Sequence, residues 1–244
     1  MQKYLFSTIG TFHTQHNEDA ALICDLSEDR ILIAVMDGCS MGTDSFFAAT
    51  LIAKLLRKIA KAEYYKTFIT KQTAELNVVL KSVLCDLFAA LKIQNNALDL
   101  ANDELLSTLI LGIVDISSRK AEIIAIGDGL ISCNNTLTEY EQDNKPDYLG
   151  YHLNEDFETW FAQQTQRLSV ENSTDLSIST DGIFTFKAFD NLVYPTISAP
   201  EIIDFLLHDK SDLSPTMLLK KMVFLEKNYG IKPSDDLSVI RLVF

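Results

Sequence analysis

The order in which two hydrophobic periodicities follow one another constrains this chain most. Short β-branched runs at about 2 to 9, 20 to 25, 30 to 36, 107 to 115, 120 to 126, 129 to 133, 176 to 180 and 237 to 243 read as strands. Between the third and fourth of them lie two long helical patterns. The first, 43 to 61, repeats Phe47, Leu51, Leu55 and Ile59 at helical spacing; the second, roughly 73 to 93, carries Leu76, Val79, Leu80, Val83, Leu84, Leu87, Phe88 and Leu91 on one side. Two helices in succession break the strand-helix alternation of a doubly wound parallel sheet. Ser27-Glu28-Asp29 and Ser117-Ser118-Arg119 instead join neighbouring strands as antiparallel hairpins. The expectation is an α+β chain of antiparallel sheets covered by helices.

Shorter helices complete the pattern. Ser198 followed by Glu201 is a capping box for a helix to about Leu207, Ser214-Pro215 opens another that Gly230 closes, and a helical segment covers Glu155 to Leu168. At 244 residues one hydrophobic core is within reach, so a single domain over 1–244 is expected. The longest apolar run, Leu105 to Ile116, is interrupted by Asp115 and falls short of the roughly 20 residues that cross a bilayer. With no secretory leader pattern after Lys3, the expected location is the cytoplasm.

A formal charge of -13 disfavours nucleic acid and anionic membrane as partners. One basic cluster, Lys54, Arg57, Lys58 and Lys61, breaks the acidity; it lies on the polar side of the first long helix and reads as a solvated face. Cys24, Cys39, Cys85 and Cys133 show no paired spacing, so free thiols are expected rather than a zinc knuckle or redox dithiol.

Acids recur where strands begin or end. "ILIAVM" runs into Asp37-Gly38, "EIIAI" into Gly127-Asp128-Gly129 and "LSIST" into Asp181-Gly182, while Asp235-Asp236 leads into "LSVIRLVF" and Asn17-Glu18-Asp19 precedes another strand. Carboxylates converging at such rims repel one another unless a cation lies between them, and hard divalent ions such as magnesium and manganese take oxygen ligands. Asp-Gly is also the commonest two-residue hairpin turn, a reading that stays open for Asp128-Gly129 and explains less at Asp37-Gly38, where the chain enters a helix. Asp235-Asp236 taken alone also reads as a solvated loop.

These residues, in order Asn17-Glu18-Asp19-Ala20, "VMDGCSMG" at 35–42, Ser107-Thr108-Leu109, "IGDG" at 126–129, "STDGIF" at 179–184 and "SDDLSVI" at 234–240, resemble the protein phosphatase 2C family of metal-dependent protein phosphatases. The resemblance implies a four-layer α-β-β-α sandwich with two central antiparallel sheets flanked by helices. It implies hydrolysis of phosphoserine and phosphothreonine in protein substrates by a water shared between two divalent metals, manganese or magnesium, with no phosphoenzyme. By position Asp37 resembles the aspartate bridging both metals, Gly38 the carbonyl donor, and Asp181 and Asp235 the remaining metal aspartates, with Asp236 the alternative to Asp235. Glu18 and Asp19 match the acids behind the metals, and Asp128 matches the position tied to a third metal in some members.

Two positions depart from that pattern. Thr14 stands where many members carry a phosphate-gripping arginine, leaving His13 and His16 as candidates for phosphate contact. Cys39 stands where relatives have histidine or methionine, which leaves the general acid unassigned. The competing reading is a catalytically silent module that keeps the scaffold to bind a partner, and specificity is expected from the loop region 134–175 or from separate partners.

Overall fold

In the computed structural model, residues 1–72, 74–142 and 146–244 are described; the expected onset of the second helix at 73 and part of the 134–175 region lie outside them. The chain opens with β1 (Gln2–Thr8), β2 (Ala20–Asp25) and β3 (Arg30–Met36), followed by α1 (Phe46–Thr70) and α2 (Leu76–Leu98). Four strands come next, β4 (Leu109–Asp115), β5 (Lys120–Ile126), β6 (Gly129–Cys133) and β7 (Thr136–Tyr140). Then α3 (Phe157–Gln163), β8 (Arg167–Val170), β9 (Asp175–Ser179), β10 (Phe186–Ala188), α4 (Ala199–Leu207), α5 (Met217–Tyr229), β11 (Ile231–Pro233) and β12 (Leu237–Val243) complete it.

Both large sheets are antiparallel, one ordered β1-β12-β9-β6-β7 and the other β2-β3-β4-β5-β8, with β10 and β11 forming a small ribbon. Residues along β3 alternate between two cores, so it reads as a continuous apolar run. Ile31, Ile33 and Val35 face Ile178 and Ile240 between the sheets, whereas Leu32, Ala34 and Met36 face the helices. The helical side of that sheet packs on Ile52 and Leu56 of α1, Leu80, Leu84 and Leu87 of α2, and Trp160 of α3. On the far side, α4 and α5 cover the other sheet through Ile202, Leu206, Met217 and Leu225 against Val239 and Leu130. The four layers run helix, sheet, sheet, helix. No helix among the described residues is long and apolar enough to cross a membrane.

Several expectations change in detail. Leu168 belongs to β8, because the helix begun at Phe157 stops at Gln163 and Gln164 is extended. The 134–175 region carries β7, α3 and β8 and is not simply a loop. α1 runs nine residues past its expected end at 61, its later turns carrying Tyr65, Phe68 and Ile69 as exposed side chains.

A buried ionic tie fastens the α4-α5 layer to its sheet. Arg241 of β12, fully buried, donates from Nε and Nη2 to the Asp175 carboxylate at 3.1 and 2.7 Å and from Nη1 to the carbonyls of Leu206 and Asp209, both at 3.0 Å. At the same edge Ser132 Oγ lies 2.9 Å from His208 Nε2, whose Nδ1 lies 2.9 Å from Asp204, pinning the end of α4. Arg241→Met leaves Asp175 with Lys210, 3.2 Å away, as its one remaining cation among the described residues. We expect urea denaturation to show a loss of about 3 kcal/mol, with most of it recovered in the double variant Arg241→Met/Asp175→Leu.

Candidate functional site

Strand register decides where the acids meet. In one sheet Ala20 of β2 pairs with Met36 of β3, Val35 with Ile110 of β4, and Leu109 with Ile126 of β5, so the start of β2, the end of β3 and the end of β5 share one end. In the other sheet Leu237 of β12 pairs with Thr8, and Ser179 of β9 with both Val239 and Leu130, so the start of β12, the end of β9 and the start of β6 share one end too. Residues 9–19 and 127–128 cross between the sheets there. The five acidic sites therefore occupy a single rim. Because β5 and β6 lie in different sheets, Asp128-Gly129 is a crossing and not a hairpin turn.

Each acid is held locally. Asp37 follows β3, and Thr108 clamps it: the Asp37 N–H donates to Thr108 Oγ1 at 3.2 Å, and the Thr108 N–H donates to the Asp37 carbonyl at 2.8 Å. Gly38 donates its N–H to the Glu18 carbonyl at 3.2 Å, and a Cβ there would run into the Ser45 carbonyl, so only glycine permits this approach. Asp19, buried, accepts from the Thr180 hydroxyl at 2.7 Å, and Thr180 Oγ1 in turn accepts from the Ser238 N–H at 2.9 Å. The Ser45 hydroxyl, at the start of α1, donates to Glu18.

The two neighbours at 235 and 236 separate cleanly. Asp236 is buried and accepts from the backbone N–H groups of Gly10 and Glu18 at 2.6 and 2.5 Å, so its carboxylate is engaged in fastening the 9–19 crossing. Asp235 donates its own N–H to Thr185 Oγ1 at 3.1 Å and keeps its side chain 45% exposed beside the other acids. Asp235 Oδ1 accepts the Asp236 N–H at 2.8 Å, so of the two Asp235 keeps the less committed carboxylate.

Burial raises the Asp37 carboxyl well above the ordinary range, and the charges of Asp19, Asp181 and Asp235 push it further. Asp19 is pushed up to about 8 by burial, with Asp236 and Asp181 adding to it against the Thr180 hydrogen bond. Asp181 rises to about 6 through burial and the nearby charges of Asp235 and Asp128. Asp128 is raised by burial and by Glu141. These groups feel one another's charge, and Glu18 Oε2, Asp19 Oδ1 and Asp128 Oδ1 are buried oxygens with no hydrogen-bond donor among the described residues. Such a donor set fits hard divalent cations, which supply the missing positive charge. Among the described residues no three His, Cys, Asp or Glu side chains stand as one group that could hold a metal ion, so the fit rests on the chemistry of the donors and not on a preformed ligand cage.

The histidines differ in placement. His13 Nδ1 lies 3.0 Å from Asp236 Oδ2, close enough for charge pairing but not aligned as a hydrogen bond, and Nε2 lies 3.8 Å from Glu18. Burial lowers the His13 pKa, but Asp236, Glu18 and Asp235 together raise it. His16 is exposed and packs against Phe46 with ring centroids 4.4 Å apart and the planes tilted by 36°. Thr14 is exposed. Cys39 is buried beside Tyr148, whose hydroxyl pKa is raised by burial first and then by Cys39. Sequence reasoning places Thr108 and Thr180 inside the resembling motifs without giving them a role, and it does not single out Thr185, Ser45 or Tyr148. The signal available for Thr180 and Thr108 is a hydroxyl residue beside an apolar strand at the acidic rim.

The raised carboxylates set a pH dependence. Their folded pKa values exceed the unfolded ones, so between pH about 4 and about 8 the unfolded chain releases protons that the native state retains, and stability falls across that window. In EDTA, the melting temperature is expected to drop from about pH 5 to about pH 8, and excess magnesium or manganese to restore more of it at the higher pH. A flat or rising profile in EDTA would contradict the cluster. Asp236→Asn, which disturbs two buried acceptor bonds, is expected to lose about 1–3 kcal/mol, against about 0.5 kcal/mol or less for Asp235→Asn, both read by chemical denaturation without metal.

Comparisons with known proteins converge on one architecture. Residues 10–211 match the family model for protein phosphatase 2C. No curated protein matched the sequence. Among solved structures the chain is similar to a point-mutated form of a bacterial serine phosphatase, at 16% identity and TM-score 0.68, covering 100% of this chain and 98% of that one. It is similar to the serine/threonine phosphatase Stp1 from Staphylococcus aureus, at 15% identity and TM-score 0.65, covering 100% and 95%. RsbX in complex with magnesium matches at 13% identity and TM-score 0.55, covering 98% and 93%. With the family model covering most of its length, and the acids gathered at one rim of the sandwich, this chain belongs to the protein phosphatase 2C family.

Proposed function

We propose that the chain is a metal-dependent serine/threonine phosphoprotein phosphatase that hydrolyses phosphate monoesters at the acidic rim. The observation that carries this reading is the convergence of Asp37, Asp19, Asp181 and Asp235 from separate strand ends, in mutual repulsion that cations would relieve. In this reading Asp37, the Gly38 carbonyl, Asp181 and Asp235 hold two divalent ions, and Glu18 and Asp19 steady the set from behind. Asp128 is the candidate for a third. A magnesium-bound relative supports divalent ions as the class, with manganese the alternative. When bound, such cations supply a water acidified towards neutral pH and neutralise the phosphate's charge during in-line attack.

The chain's own residues supply positioning. Thr108 fixes the Asp37 backbone, and the Thr180 hydroxyl, shared between Asp19 and the Ser238 N–H, locks the β9 end to the β12 start. Asp236 holds the 9–19 crossing against both. With Thr14 short and His13 already facing Asp236 and Glu18, the charge that grips phosphate falls mainly to the cations. The substrate is a phosphorylated protein, and the site works in the cytoplasm without nucleic acid or membrane.

Purified protein is expected to release phosphate from a phosphoserine peptide in manganese or magnesium, and to stop in EDTA. Asp37→Asn and Asp181→Asn are each expected to lower kcat by roughly a hundredfold or more while the fold, read by circular dichroism, is kept. Turnover that persists in EDTA and in Asp181→Asn would defeat the proposal. Tight divalent binding with no turnover on any phosphosubstrate would mark a silent binding module instead.

A further inference from the structure

The exposed side of α1 is patterned in a way that neither the core nor the acidic rim requires. At 100° per residue, Lys54, Arg57, Lys58 and Lys61 fall within an arc of about 120°, and Tyr65, Phe68 and Ile69 continue the same stripe. All seven are exposed, Phe68 at 67% and Ile69 at 76%. The stripe, 54 to 69, is about 24 Å long, basic over its first half and apolar over its second. Glu63 is the sole acid in α1 and pairs with Lys66 outside the stripe; among the described residues none of the four stripe cations is in an ion pair. In a chain of charge -13 this is a local reversal of sign.

Cavities flank the stripe. Tyr64, Thr67, Phe68 and Lys71 line one of about 680 Å³ with Ser27 and Ser117 of the two hairpin turns and Arg30 at the start of β3, and Arg57, Lys61 and Tyr65 line another of about 420 Å³ with Ile23 and Asp25. A cavity beside an exposed phenylalanine suits an inserted side chain, which a bilayer surface does not provide. Glu28, Asp29 and Asp115 also line the larger cavity and would face an anionic membrane unfavourably.

We propose that this face of α1 docks a partner polypeptide that lays acidic residues along 54–61 and large apolar residues along 65–69, one of them seated in the cavity beside Phe68. Charge complementarity selects the partner and fixes its direction along the helix, while aromatic burial supplies holding energy. The binding needs no turnover, so it stands or falls separately from the phosphatase reading.

The test is a display library of random peptides about 16 residues long, panned on the wild-type protein with Lys54→Glu/Arg57→Glu/Lys58→Glu/Lys61→Glu as counter-selector. Enrichment of Asp and Glu in one half and Leu, Phe or Trp in the other is expected. The consensus peptide, followed by fluorescence anisotropy, should weaken about tenfold or more in the charge-reversed variant and in Phe68→Ala, and should weaken with added salt. Hydrolysis of p-nitrophenyl phosphate and the circular dichroism of both variants should match wild type. No segregated consensus, or a consensus peptide indifferent to both variants, overturns the proposal. So does binding of phosphatidylserine vesicles without peptide selection, or self-association that vanishes in Phe68→Ala.

Discussion

The structure turns on carboxylates gathered where backbone and hydroxyl donors cannot satisfy all of them. Asp236 shows the satisfied case, since two backbone N–H groups meet its oxygens and tie the inter-sheet crossing to β12. Asp19 shows the other, with one oxygen on Thr180 and the second buried without a donor among the described residues. Burial of charge on this scale opposes folding at neutral pH, because each acid is easier to ionise in the unfolded chain. The remainder of the fold must hold the rim together against that repulsion.

It does so with a continuous apolar interior. Buried residues along β3, β4 and β5 alternate between the inter-sheet core and the helical core, so shifting any of these strands by one residue would exchange its two faces. That register fixes the level at which each strand ends, and hence that Asp37 emerges beside Thr108 and the 127–128 crossing. Gly38 and Gly182 then let backbone approach backbone, since a Cβ at either would meet the carbonyl of Ser45 or of Asp236. Stability and site geometry share one cause. The Arg241–Asp175 tie serves the outer layer in the same manner, anchoring α4 and α5 at the end of the sheet away from the rim.

Much of this is legible in the sequence because the strands carry long β-branched runs and the helices strong periodicity. β2, β3, β5, β6 and β12 begin and end where the pattern changes. What is not legible is short or polar. β7 (Thr-Leu-Thr-Glu-Tyr) and β8 (Arg-Leu-Ser-Val) are edge strands with little burial to pattern, and β10 and β11 have three residues each. Leu168 follows the apolar spacing of α3 and reads as part of it, although pairing with Ile123 decides its conformation. The candidate acids can be named from sequence, but their division of labour cannot. Position in the family pattern prefers Asp235 to Asp236, but that Asp236 is engaged by the Gly10 and Glu18 N–H groups is visible only in the folded chain.

Helix α1 has a different role at each of its two ends. Its first residues belong to the rim, where the Ser45 hydroxyl binds Glu18 and the Ser45 carbonyl packs on Gly38. Its inward face, Ile52, Leu56 and Ala60, continues the core and cannot change without cost. The outward face has no such constraint, and a surface under solubility pressure alone would carry charge to its end. Instead, along the stripe itself the cations end at Lys61, and Tyr65, Phe68 and Ile69 take their place beside a cavity, while Glu63 and Lys66 pair to one side. Exposed apolar surface is unfavourable in water, so its concentration on the continuation of the one basic stripe has a physical explanation if both halves are covered together by one partner.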